Sequence, residues 1–337
     1  MRAVIVREFG SPRSATVETI AAPVPADDEI LIDVRAVGVN FVDLLVIGGT
    51  YQFLPPKPFT PGKLPAGIIT QVGTRVRGLK AGDRVLTTAE HGGYAEQAIA
   101  PASQTYRIPD NMSFVEAASM ALAFDTAWFA LHERGRLKRG ETVLALGATG
   151  GVGLAAIQLA RLAGARVIAG VSSLAKADIV RAAGADEVVD LSADNIHDAL
   201  RSQVHALTEG RGVDVVIDPL GDRFLGAALR ALAWCGRLVV VGFAAGDIPT
   251  IKANYLLVKN IEVSGLQVSD YRKREPERMR ECFADIFRGF ETGQLKPPAA
   301  TAVPLDDFAE ALEQVRDRRA TGRLVLTPGS KSLTGPG

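Results

Sequence analysis

Leu144-Ala145-Leu146-Gly147-Ala148-Thr149-Gly150-Gly151-Val152-Gly153 leads from an apolar strand pattern, through a cluster of small residues, into a helical pattern. The run from Thr142 to Leu146 has the length and composition of a buried strand, and Val152 to Ala163 repeats its apolar residues at helical spacing. Read from Ala148, the turn is A-x-G-x-x-G, a dinucleotide fingerprint with its first glycine replaced by alanine. Small residues there let the backbone approach a pyrophosphate, whose charge meets the N–H groups at a helix start. Gly153 lets that helix pack closely on the strand. The same composition also suits a plain strand-to-helix corner, so the surrounding chain has to decide between the two.

Downstream, apolar runs at Arg166–Val171, Glu187–Val189, Val213–Asp218, Arg237–Val241 and Ile261–Val268 alternate with helical patterns at Leu174–Ala183, Ile196–Leu207 and Phe224–Ala233. Strands joined by helices run parallel through right-handed crossovers, which predicts a doubly wound, Rossmann-type α/β sheet. In that setting the glycine turn reads as a cofactor cradle formed by Ala148, Thr149, Gly150, Gly151, Val152 and Gly153. Upstream, Glu29–Val39, Ala66–Val72 and Asp83–Leu86 read as strands of a β-rich lobe. Five prolines between Pro55 and Pro65 make a stiff loop, which serves equally as a pocket wall or a surface crossing. After the Rossmann pattern, 276–289 and 306–318 read as amphipathic helices, Gly322–Thr327 as a closing strand and Lys331–Gly337 as a loose tail.

A chain of 337 residues is long enough for two lobes, each with its own core and with a cleft between them for a ligand. Lys and Arg number 38 against 38 Asp and Glu, so no global field favours nucleic acid or an anionic membrane. Charges or glycines interrupt the apolar runs short of a bilayer's thickness, which predicts no transmembrane segment. The start, Met1 to Arg7, reads as a strand without a signal-peptide pattern, which makes the cytoplasm the expected compartment. Cys235 and Cys282 are too few for a disulfide framework or a four-thiolate zinc site, and both read as buried or half-buried residues.

The end of the second Rossmann strand decides which dinucleotide fits, because an acid about 20 residues beyond the glycines binds the ribose 2′-hydroxyl of NAD. Here the chain reads Val171-Ser172-Ser173-Leu174-Ala175-Lys176. Without a carboxylate, Ser172 and Ser173 can donate to a 2′-phosphate and Lys176 can neutralise it, which favours NADPH. The competing role for Lys176 is a solvated helix-surface lysine.

These features, together with Gly38-Val39-Asn40-Phe41-Val42-Asp43, Pro61-Gly62, Val72-Gly73, Gly82-Asp83-Arg84-Val85, Gly92-Gly93-Tyr94-Ala95-Glu96 and Ala320-Thr321-Gly322-Arg323, resemble the zinc-independent quinone oxidoreductase (ζ-crystallin-like) family of medium-chain dehydrogenases/reductases. The resemblance runs from Met1 to about Pro328. It implies a GroES-like catalytic domain over 1–123 and 265–337, around a Rossmann NADPH-binding domain over 124–264. Zinc-dependent relatives carry Cys where this chain has Asn40, and Gly-His-Glu where it has Gly62-Lys63-Leu64, so the resemblance implies no metal. His91, His132, His197 and His205 lack ligand spacing and read as surface or packing residues.

Carried over by position, Asn40 and Tyr51 match residues lining the substrate cleft, and Thr126 matches one close to the nicotinamide ring. Gly242 and Phe243 match a loop near the nicotinamide ribose, Asn254 and Leu256 follow on that side, and Arg319 matches a base that reaches the 2′-phosphate. Asn40 is also placed to cap a helix over Phe41–Val46. The chain departs from the family at Leu64, usually acidic, at Leu191, often Tyr, and at Asp222, usually Gly. The implied activity is NADPH-dependent reduction of a quinone or an α,β-unsaturated carbonyl, with Asn40 and Tyr51 donating to the developing oxyanion. Two rivals remain: an enoyl-thioester reductase, for which Arg272, Lys273 and Arg274 would form a basic entrance, and a non-catalytic NADPH-binding protein. The apolar run Ile261–Val268, as an open sheet edge, predicts a homodimer.

Overall fold

The computed structural model describes residues Met1–Gly329, so the tail expected at Lys331–Gly337 lies outside the described residues. The chain forms two compact units. One comprises Met1–Leu122, Arg272–Glu291 and the chain from Lys296 on, and the other comprises Ala123–Tyr271 and Thr292–Leu295.

The first unit opens with the antiparallel pair β1 (Arg2–Ile5) and β2 (Thr16–Thr19), followed by β3 (Glu29–Gly38) and α1 (Phe41–Ile47). Then come β4 (Ala66–Val72), β5 (Arg84–Thr87), β6 (Gln97–Pro101), β7 (Thr105–Arg107) and α2 (Phe114–Met120). β3 pairs antiparallel with both β4 and β6 and is buried along most of its length, which is why it reads as a continuous apolar run rather than an alternating one. Val4, Ile30, Ile32, Ile47, Val85 and Tyr94 are fully buried in this unit's core. The proline-rich loop contains no helix or strand; Phe59 forms an isolated bridge with Val6, and Pro65 O accepts the Thr87 N–H of β5 at 3.0 Å.

The second unit contains α3 (Ala123–Phe129), β8 (Thr142–Ala145), α4 (Gly151–Leu162), β9 (Arg166–Val171), α5 (Ala177–Ala182), β10 (Glu187–Asp190) and α6 (Ile196–Leu207). It continues with β11 (Val213–Asp218), α7 (Asp222–Ala231), β12 (Leu232–Val240), α8 (Asn254–Lys259) and β13 (Glu262–Gly265). Its sheet has the order β10-β9-β8-β11-β12-β13, with every neighbouring pair parallel. The strand order therefore reverses at β8, between β9 and β11, the switch point at which doubly wound sheets bind ligands. Leu144, Ile168, Val216 and Leu238 are fully buried between the helical layers, each position contributing roughly 1.5–3 kcal/mol. The chain then adds α9 (Val268–Arg274), α10 (Pro276–Glu291), β14 (Ala300–Pro304), α11 (Phe308–Arg316) and β15 (Arg323–Thr327), and β15 pairs antiparallel with the end of β3.

Four expectations need correction. The run Ile261–Val268 is not one strand: β13 covers four residues, Ile261 is buried before it, and Val268 already opens α9. α7 starts and ends earlier than the pattern at Phe224–Ala233 predicts. Asp218 accepts the Leu220 and Gly221 N–H groups, and Gly221 at φ 66° turns the chain into the helix at Asp222. Cys235 is exposed, at φ 61°, within the long strand β12. Finally, Phe114–Arg134 is apolar and long enough by composition to cross a bilayer, but it breaks at Leu122 (φ 65°), and 78% of its most apolar window is buried.

Candidate active site

The chain leaves β8 at the switch point through a turn held from both flanking strands. Leu146 N–H donates to Ile217 O of β11 at 3.1 Å, and Ala148 N–H to Gly170 O of β9 at 3.0 Å. Gly147 takes φ 56°, a conformation that favours glycine, and its carbonyl accepts the Gly150 N–H at 2.9 Å. α4 starts at once, and its first bond runs from Leu154 N–H to Gly150 O, so the amides of Gly151, Val152 and Gly153 have no carbonyl inside the helix to reach. A Cβ on Gly153 would stand 2.5 Å from Gly147 O and 2.6 Å from Ala148 Cα, so only glycine lets the helix start lie on the turn. Ala148 is fully buried, Thr149, Gly151 and Val152 are half-buried, and Gly150 is exposed. This is a cradle of unpaired amides at the positive end of a helix dipole, suited to a pyrophosphate.

Around that cradle the residues expected for the cofactor divide. Ser172, Ser173 and Lys176 lie exposed just beyond β9, where Ser173 Oγ accepts the Ala175 N–H at 3.3 Å. Leu191 follows β10 and is buried, its side chain packed over Gly170, so apolar core stands where many relatives place a tyrosine. Gly242 and Phe243 open the loop after β12. Ala244 and Ala245 N–H donate to Pro219 and Leu220 O at 3.0 Å, and Phe243 packs where a Cβ on Gly221 would stand. Asp222 adopts φ 47° and donates its N–H to Asp247 O. Asn254 is exposed, whereas Leu256 packs partly on the Rossmann core. Thr126 is buried on α3, with its N–H on Asp125 Oδ1 at 2.7 Å. Arg319, in the first unit, is exposed and pairs with Asp317 at 3.3 Å and Glu310 at 3.7 Å.

The first unit holds a group of buried polar side chains in which Asn40, expected at the site, is joined by Asp43, Tyr94 and Arg323, which the sequence reading did not single out. Asn40 is 3% exposed and opens α1 in a reciprocal cap, its N–H donating to Asp43 Oδ2 at 2.9 Å. Its side-chain Nδ2 donates to Gly38 O at 3.0 Å, and its Oδ1 accepts from Arg323 Nη2. The Tyr94 hydroxyl donates to the same Asp43 oxygen at 3.0 Å. Burial pushes the Asp43 carboxyl up to about 6, against the pull of the Asn40 N–H, the Lys63 charge and the Tyr94 hydroxyl. Burial beside Asp43 raises the Tyr94 hydroxyl well above its ordinary range, and burial lowers Arg323. Asp43 Oδ1 and Arg323 Nε are buried without a hydrogen-bond partner among the described residues.

Beside this group, Lys63 Nζ bonds Glu90 Oε2, and Arg272 Nη1 donates to Glu90 Oε1 at 2.8 Å. Burial works to raise the Glu90 carboxyl, but the Arg272 and Lys63 charges hold it down at about 2. Arg272 is 2% exposed, so it is no part of a solvated basic entrance. Leu64, the position usually acidic in the family, is fully buried. Lys63 also stands 4.9 Å from the centroid of the half-buried Tyr51 ring, which meets Phe53 edge-on. Sequence motifs contained Asp43, Lys63, Tyr94 and Arg323, but no local pattern distinguishes a buried charge from a solvated one.

These residues do not suit a zinc ion. The positions that hold metal in zinc relatives carry an amide engaged by Arg323, an ammonium paired with Glu90 and an apolar side chain. Among the described residues, no three His, Cys, Asp or Glu side chains gather as a metal-ligating group.

Two family profiles match the chain, an alcohol dehydrogenase GroES-like domain over residues 26–110 and a domain described as zinc-binding dehydrogenase over 151–285. A quinone oxidoreductase-like protein 2 homolog from Nematostella vectensis is 36% identical over 96% of this chain and 88% of its own. The structure of Escherichia coli quinone oxidoreductase complexed with NADPH superposes with a TM-score of 0.89 at 28% identity, covering 97% of this chain and 100% of that one. The CurK enoyl reductase follows at 0.87 and 25% identity, covering 97% and 98%. With its GroES-like and Rossmann units, matched over nearly its full length, the chain belongs to the quinone oxidoreductase family of medium-chain dehydrogenases/reductases and is an oxidoreductase.

Proposed function

We propose that the protein is an NADPH-dependent, zinc-independent reductase of quinones or α,β-unsaturated carbonyls. The observation that carries this reading is the amide cradle at Gly151–Gly153, beside a β9 end that holds Ser172, Ser173 and Lys176 and no carboxylate. Reduced nicotinamide, when bound, supplies the hydride. The chain's own contribution is binding, orientation and hydrogen bonds to the oxygen that becomes negative. The Asn40 side chain is held by Gly38, Arg323 and the Asp43 carboxylate, which together fix where its amide faces. Tyr51, half-buried, is the second residue assigned to donate to that oxygen, and solvent delivers the proton that completes reduction. Gly242, Phe243 and Thr126 are assigned to the nicotinamide side of the proposed site, while Arg319 is paired with Asp317 and Glu310.

The test is the rate of NADPH and NADH oxidation with quinones, enones and enoyl thioesters. The expected result is turnover of quinones or enones with NADPH preferred, and a drop in that preference of about tenfold in Lys176→Ala. Turnover confined to thioesters would move the assignment to an enoyl reductase, and binding without turnover would make the protein a non-catalytic NADPH binder. We further propose a homodimer formed through the open edge of β13.

A further inference from the structure

Two cations share one carboxylate in the first unit: Lys63 and Arg272 both bond Glu90, so the three groups together carry a net positive charge. The Lys63 and Arg272 side chains are 4% and 1% exposed, and Glu90 20%. Such a group is costly to assemble and unpromising as a source of stability alone. The backbone around it is equally constrained. Gly62 takes φ 93°, and a Cβ there would stand 2.2 Å from the Tyr94 ring. Leu64 takes φ 54°, a conformation that costs a non-glycine residue roughly 1–3 kcal/mol. The segment is strapped down on both sides of Lys63, by Leu64 N–H on Ala89 O and Gly93 N–H on Gly62 O, each at 2.9 Å. What this apparatus presents is the Lys63 ammonium over the Tyr51 ring.

We propose that Lys63 is a positioning residue: clamped by Glu90 and Arg272, its ammonium holds the ring of Tyr51 by a cation–π contact, and so fixes where the phenolic hydroxyl donates. A desolvated ammonium over an aromatic face is favourable enough to choose one ring orientation among several. Phe53 closes the edge of the same ring, and Lys273 stands 5.0 Å over Phe53, so the pair is gripped as a unit. The inference rests on the reading of Tyr51 as a donor to substrate oxygen.

The experiment is a double-mutant cycle on the full-length protein, with kcat, KM, NADPH affinity and thermal midpoint measured for each variant. Lys63→Met is expected to lower kcat roughly ten- to hundredfold, with NADPH affinity unchanged. Lys63→Arg, which keeps both the charge and the bond to Glu90, restores most of the rate. In a Tyr51→Leu background the same Lys63→Met change costs less than about twofold, because the ring it holds is gone. Should Lys63→Met fail to fold, Glu90→Gln takes its place in the cycle, with the same non-additivity expected. Additive losses, or no rescue by arginine, overturn the proposal. Full turnover in Tyr51→Leu alone would instead remove the donor role assigned to Tyr51, an outcome the cycle separates from the others.

Discussion

Arg323, at the start of β15, donates to the side-chain oxygen of Asn40, the residue that opens α1, although 283 positions separate them in the chain. One guanidinium therefore sets the orientation of the amide proposed to meet substrate. Replacing it with methionine leaves a buried acceptor without its charged donor, a loss of roughly 2 kcal/mol. Urea unfolding of Arg323→Met should show that loss, and kcat should fall while NADPH affinity holds.

The two buried carboxylates of the first unit make opposite contributions across the acid range. Asp43 rises from 3.8 to about 6 on folding, so its penalty is present in full above pH 6 and is relieved as the pH falls toward 3.8. Glu90 drops from 4.5 to about 2, so its contribution is present above pH 4.5 and is lost as the pH falls through 2. Each effect amounts to roughly 3 kcal/mol. Asp43→Asn should accordingly be more stable than the parent at pH 8 and match it near pH 4. Glu90→Gln should be less stable at pH 7, with the gap narrowing toward pH 2. Unfolding free energies across this range test both signs.

Gly153→Ala places a methyl 2.5 Å from Gly147 O, against backbone that cannot swing aside. The start of α4 must lift from the turn, spreading the amides that cradle the pyrophosphate. NADPH affinity measured by calorimetry should fall at least about tenfold, while the neighbouring exposed Gly150 should tolerate alanine with a smaller loss.

Among the described residues β13 ends the parallel sheet with one edge unpaired, and Ile248, Leu257 and Val258 of the same unit are 76%, 79% and 75% exposed. Such apolar exposure beside an open edge is a liability for a lone chain. Light scattering at micromolar concentration should return the mass of two chains, and Val258→Asp should shift it toward one. A monomer in the unsubstituted protein would remove this reading.

The sequence by itself determined the Rossmann unit and the β-rich lobe, because both are written in short-range patterns. Apolar runs at 142–146, 166–171 and 213–218 fix the parallel strands, and the spacing of Gly150 and Gly153 fixes the strand-to-helix corner. The absence of an acid after Val171 is likewise local and legible. Only the tertiary structure decided which charges are buried and whom they meet. Lys63 finds Glu90 across 27 residues and Arg272 finds the same carboxylate across 182, separations that no periodicity encodes. In sequence Arg272 belongs to a basic run next to Lys273 and Arg274, and a helix surface would be its ordinary place. Folding removes it from water because a carboxylate stands ready on another element, and the strength of that pairing depends on desolvation, which exists only once the chain has closed around it.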